Sequence, residues 1–110
     1  MHQNSLTELS QTHLAIAQTA SSGRSAHTVY GGHDHVLRQT LIALRAGSSL
    51  DEHESPGDAT LQVLRGRVTL VAGGVRTDGS VGDLLVIPRR RHALEAHENS
   101  AVLLTVAKLM

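Results

Sequence analysis

Gly47-Ser-Ser-Leu-Asp-Glu-His53-Glu-Ser-Pro-Gly-Asp-Ala-Thr-Leu-Gln-Val-Leu-Arg-Gly66 is the stretch on which the reading of this chain turns. Gly47 to Gly57 is polar and rich in turn formers, and His53 sits inside it. Thr60 to Leu64 reads as a short strand, and Gly66 then permits a tight turn. A second stretch, Gly82-Asp-Leu-Leu-Val-Ile-Pro88 followed by Arg89-Arg-Arg91 and His92, answers it further on: a glycine, an apolar strand stopped by proline, and a histidine.

Outward from these two stretches the pattern is that of strands. His27–Tyr30 is read as a strand that Gly31-Gly32 breaks, and His33-Asp34-His35 as a turn. Val36 to Ala46 is apolar on both faces, so it should be buried on both, against a barrel interior and against a helix or another subunit. Val68–Ala72, Val75–Asp78, Leu84–Ile87, His92–His97 and Ala101–Leu109 complete about eight strands separated by turn signals, the pattern of a sandwich or barrel. In His92–His97 the alternation puts His92, Leu94 and Ala96 on one face and Glu95 and His97 on the other. Ala101–Leu109 is long and apolar and needs a partner strand or subunit. Ahead of the strands, Ser5-Leu-Thr-Glu8 has the form of a capping box, and Leu6, Leu9, His13, Ile16 and Ala17 recur at helical spacing. A helix is expected over Leu6–Ala20, ended by Ser21-Ser22-Gly23. The organisation is thus 1–23 as helix and lead-in and 24–110 as a β-barrel domain.

Composition narrows the functions. The 110 residues suit one domain. Lys plus Arg and Asp plus Glu are ten each, so no net field draws nucleic acid or an anionic membrane. Tyr30 is the one aromatic residue outside histidine, which leaves no stacking platform for bases. The core must be built from Leu, Val, Ile and Ala. Cysteine is absent, in keeping with a cytoplasmic setting, and no apolar run is long enough to span a bilayer. Histidine is abundant, with eight residues, so the net charge should vary around neutral pH.

The two stretches resemble the paired motifs of the cupin superfamily, and the resemblance covers about residues 36 to 107. The first family motif runs glycine, two histidines, glutamate, closing glycine; Gly47, His53 and Gly66 match it. The second runs glycine, proline, glycine, histidine; Gly82 and Pro88 match it, and His92 falls one residue short of the last position. The resemblance implies an all-β fold, a cupin-type jelly-roll barrel of the RmlC-like kind with a short N-terminal α-helix. It also implies a site at the barrel mouth. The departures lie at the ligand positions. Ser55 stands where the second histidine belongs and Ala59 where the glutamate belongs; Arg90 replaces the glycine after the proline, and Ala93 occupies the strict position of the last histidine.

His53, His92 and Ser55 are therefore expected to line a pocket, with Arg38 and Gln39 as polar candidates from the long strand, one on each face. A divalent metal (Zn, Fe, Mn or Ni) would draw on His53 and His92, with His33 and His35 as the further donors. Asp58 lies one residue before the missing glutamate, and alternation aims it the other way. Arg89–Arg91 is read as a solvated loop, with a basic rim that attracts a carboxylate or phosphate as the alternative. Three functions fit these residues: a binding module for a small molecule in the barrel, a metal-dependent enzyme of dioxygenase or isomerase type using His53 and His92, and a structural dimeric barrel without a ligand. The first is preferred because two histidines fall short of the three or four protein ligands that metal sites use. A homodimer is expected under all three.

Overall fold

In a computed structural model, residues 3–54 and 57–108 are described. Helix α1 (Leu6–Thr19) is followed by nine strands among the described residues: β1 (Arg24–Tyr30), β2 (Leu37–Leu44), β3 (Ser49–His53), β4 (Gly57–Arg65), β5 (Arg67–Ala72), β6 (Val75–Ser80), β7 (Leu84–Ile87), β8 (His92–Ala96) and β9 (Ser100–Lys108). They form two antiparallel sheets, one in the order β1-β2-β9-β4-β7 and one in the order β3-β8-β5-β6.

The all-β jelly roll with one helix is the expected fold, and most elements fall within a few residues of their expected bounds. The exception is β3. The segment from Gly47 to Gly57 holds a strand, not only turns. Its residues Asp51, Glu52 and His53 are exposed, and it sits at the edge of its sheet, paired only with β8. Because consecutive residues Asp51, Glu52 and His53 are exposed, β3 is wet on both faces there and carries no apolar alternation, which is why its sequence looks like a loop.

The inward faces of the two sheets meet in one core. Ile42 and Leu44 of β2, Leu61 and Val63 of β4, Val68 and Leu70 of β5, Leu94 of β8, and Val102 and Val106 of β9 belong to it. Each fully buried Leu or Val contributes about 1.5–3 kcal/mol relative to an exposed one. The other face of β2, carrying Leu41 and Ala43, is also fully buried. The cover is α1, whose Ala17 is fully buried and which packs on β1 and β2 and reaches β4 and β9. Of the two covers expected for that strand, the chain thus supplies the helix itself. The helix begins where expected, with Glu8 N–H donating to Ser5 Oγ at 3.2 Å. Strand β9 is no free edge: it lies between β2 and β4.

The outer face of the second sheet is polar and cross-linked. Thr69 Oγ1 donates to Asp78 Oδ1 at 2.6 Å and accepts from His97 Nε2 at 2.5 Å, tying β5, β6 and the end of β8 together. Beside it Arg76 and Glu95 form an ion pair at 2.6 Å. The hydrogen bond from Arg76 is the main reason the Glu95 carboxyl is held below its ordinary value, and the same bond raises the Arg76 guanidinium.

A candidate ligand site at the barrel mouth

His53 and His92 are brought together by a register shift. Ser49 pairs with Glu95 and Leu50 with Leu94, but His53 pairs with His92. Three steps along β3 thus match two along β8, so β3 carries one extra residue at Asp51–Glu52. In a regular ladder Glu52 would oppose His92 and His53 would point away. The bulge re-aims the strand and places His53 on the face of His92. The rings meet edge to face, with centroids 4.4 Å apart. His92 is buried, at 4% exposure, and His53 is exposed.

Each ring is oriented by its own main chain. His53 Nδ1 lies 2.9 Å from Asp51 O, and His92 Nδ1 lies 3.0 Å from Arg90 O. A carbonyl only accepts, so each Nδ1 carries the proton and donates. In the neutral ring Nε2 then holds the lone pair, and neither Nε2 has a partner among the described residues. Two oriented imidazoles, one buried and one exposed, therefore offer free acceptors at the mouth.

The facing sheet contributes a row at the same end of the barrel. Arg38 pairs with Val106, Val106 with Ala59, and Ala59 with Ile87. Val106, Ala59 and Ile87 belong to the core, which puts the row on the inward face. Arg38 shares that face with Ile42 and Leu44 by strand alternation. It is half-buried, and its guanidinium makes no hydrogen bond or ion pair with a described residue.

The other expected site residues go elsewhere. Gln39 points to the outer face, as its neighbour Arg38 points in. It donates to Thr105 Oγ1 at 3.2 Å and lines an outer groove with Tyr30, Leu37 and Leu103, so it is not a barrel residue. His33 and His35 lie on the exposed β1–β2 loop. The His33 carbonyl accepts from Lys108 Nζ at 3.2 Å, and the His35 ring packs on Tyr30. Neither joins His53 and His92, because the loop is held on the outside of the five-stranded sheet. Ser55 lies outside the described residues. Asp58 faces outward as expected and pairs with Arg89 at 2.6 Å. Among the described residues no three His, Asp or Glu side chains converge. Ala59, 5% exposed and packed in the core, supplies no donor where the glutamate is expected. The donors present therefore do not fit a divalent metal held by three or four protein ligands.

Comparison with solved structures agrees with this architecture. A cupin superfamily protein from Desulfitobacterium hafniense superposes with a TM-score of 0.75 over 87% of each chain, at 18% identity. The chain folds as a cupin. A conserved protein of unknown function from Streptococcus pyogenes resembles this chain with a TM-score of 0.74 at 28% identity, over 83% of this chain and 79% of that one. Salicylate 1,2-dioxygenase from Pseudoaminobacter salicylatoxidans, in its adduct with gentisate, matches with a TM-score of 0.77 at 20% identity; the match covers 96% of this chain but 32% of the dioxygenase. No family model matches the sequence, and no curated protein matches it.

Proposed function

We propose that this cupin is a binding module for a small polar molecule, held at the barrel mouth by His53, His92 and Arg38. The observation that carries the proposal is the matched pair of imidazoles, each with Nδ1 tied to its own main chain and Nε2 left for a ligand. Two imidazole acceptors and one guanidinium without a partner among the described residues suit a small hydroxy acid, its hydroxyl on an Nε2 and its acid group on Arg38. The inward-facing apolar residues Val106, Ala59 and Ile87 would supply an apolar wall beside them. An alanine in place of a carboxylate at position 59 removes both a metal donor and a charge that would repel an acid.

A thermal-shift screen of small hydroxy acids in the presence of EDTA tests the proposal. Acids of this class should raise Tm, and His53→Ala and Arg38→Gln should each abolish the response. A chain that responds only once Zn, Fe, Mn or Ni is added is not this module. Metal analysis after growth in those four metals should find well below one equivalent, and a full equivalent held against EDTA would restore the metal-dependent enzyme.

A further inference from the structure

The three arginines after Pro88 part ways in the fold. Arg89 donates to Asp58 Oδ1 through Nε at 3.0 Å and Nη2 at 2.6 Å. Arg91 stands 4.0 Å from Glu52 Oε2 and donates to the Glu52 carbonyl at 3.4 Å. Arg90 lies between them, and its guanidinium has no hydrogen-bond or ion-pair partner among the described residues. Its main chain is fixed instead: the N–H donates to Pro88 O at 2.8 Å, and the carbonyl accepts from His92 Nδ1. The side chain lies across the β5–β6 turn, where Nη1 fills the space that a Cβ at Gly73 would need.

There Arg90 lines a cleft of about 510 Å³ between β6 and β7. These are edge strands of the two sheets, and the gap between them reaches Leu70 and Leu85 of the core. Val75, Leu84 and Val86 line it and are 64%, 62% and 75% exposed. Thr77 also lines it, and its hydroxyl has no partner among the described residues. Large apolar side chains clustered in the open mark a binding surface. A cleft of this volume is the size of a small-molecule site. The one cation among its described lining residues is a guanidinium, whose paired donors match a carboxylate. An uncharged hydrocarbon would leave Arg90 unmatched, and a compact polyanion would leave Val75 and Leu84 wet.

We infer that the cleft between β6 and β7 binds a small amphipathic carboxylate, with its acid group on Arg90 and its hydrocarbon part against Val75, Leu84 and Leu85. His53, His92 and Arg38 do not line the cleft, so this site stands independently of the one at the mouth.

Calorimetric titration of the full chain with octanoate and with 1-octanol tests the site. Octanoate should bind saturably at about one equivalent, and 1-octanol, which cannot engage a charge-assisted pair, at least about tenfold more weakly. Arg90→Gln should abolish that preference, and Arg90→Lys should retain part of it. Arg89→Gln and His53→Ala should leave octanoate affinity within about twofold, since neither touches the cleft. Arg90 is exposed, so its replacement should not unfold the chain. Absence of saturation in the millimolar range, equal affinity for acid and alcohol, or an unchanged Arg90→Gln protein each overturns the inference. So does a dimer in light scattering that Val86→Lys dissociates and octanoate does not, because a second copy then occupies the cleft.

Discussion

His53 and His92 are matched in register but not in burial, and substitution should separate them. His92→Ala removes a buried ring and leaves the Arg90 carbonyl without its donor, a cost of about 1–3 kcal/mol. His53→Ala trims an exposed ring and should stay within about 0.5 kcal/mol. Urea unfolding measures both, and equal losses would contradict the burial difference. The orientation of His92 was legible in the sequence, because Leu94 and Ala96 alternate with it on one apolar face. That of His53 was not. Asp51 and Glu52 are both polar, so nothing in the pattern shows that an extra residue enters β3 between Leu50 and His53 and turns the histidine inward. For the three arginines the sequence left two readings, a solvated loop and a basic rim, and nothing in it separated Arg90 from its neighbours, which engage Asp58 and Glu52.

At the scale of the element, the motif glycines carry different loads. Gly47, Gly66 and Gly82 all have positive φ, at 86°, 78° and 92°. A Cβ at Gly47 or Gly82 would meet nothing nearby, whereas one at Gly66 would overlap Asn99 O and Ser100 Oγ. Gly82→Ala should therefore show only the left-handed backbone penalty, on the order of 1 kcal/mol. Gly66→Ala adds a steric conflict with the β8–β9 connection and should cost at least about 1 kcal/mol more. Denaturation midpoints give the difference directly, and similar midpoints would mean that the β4–β5 turn yields without resistance. The glycine positions were readable because turns demand them, and so was α1, whose cap and periodicity agree. Ser5→Ala should cost about 0.5–2 kcal/mol, the usual range for a lost cap, with part of it appearing as exposure of Leu41 and Ala43 to amide exchange. Strand β3 escaped the sequence reading because it is exposed on both faces from Asp51 to His53 and so carries no apolar stripe.

At the scale of the whole molecule, the two sheets share a core but have unlike exteriors. The five-stranded sheet is covered by α1 over β1, β2 and β9, while the four-stranded sheet faces solvent with a polar lattice. The strand order that creates this arrangement could not be read from alternation alone, which marks strands but not their neighbours; the motif resemblance supplied only the jelly-roll architecture. The polar lattice gives the molecule an acid sensitivity. The Glu95 carboxyl, held low chiefly by the hydrogen bond from Arg76, titrates below its ordinary value of 4.5 in the folded chain. A carboxyl with a depressed folded pKa stabilises the fold at every pH above its unfolded value and loses that contribution as the pH falls through the folded one. Arg76 is raised further above its ordinary range, so it stays charged throughout and only Glu95 titrates. Between about pH 5 and pH 3 the native chain should lose more stability than Glu95→Gln, which has no charge to neutralise there. At neutral pH the variant should be slightly less stable than the native chain, because the pair is exposed, and high salt should narrow that gap by screening. Urea midpoints across this range decide the matter: parallel pH profiles for the two proteins would show that the Arg76–Glu95 pair does not couple to folding.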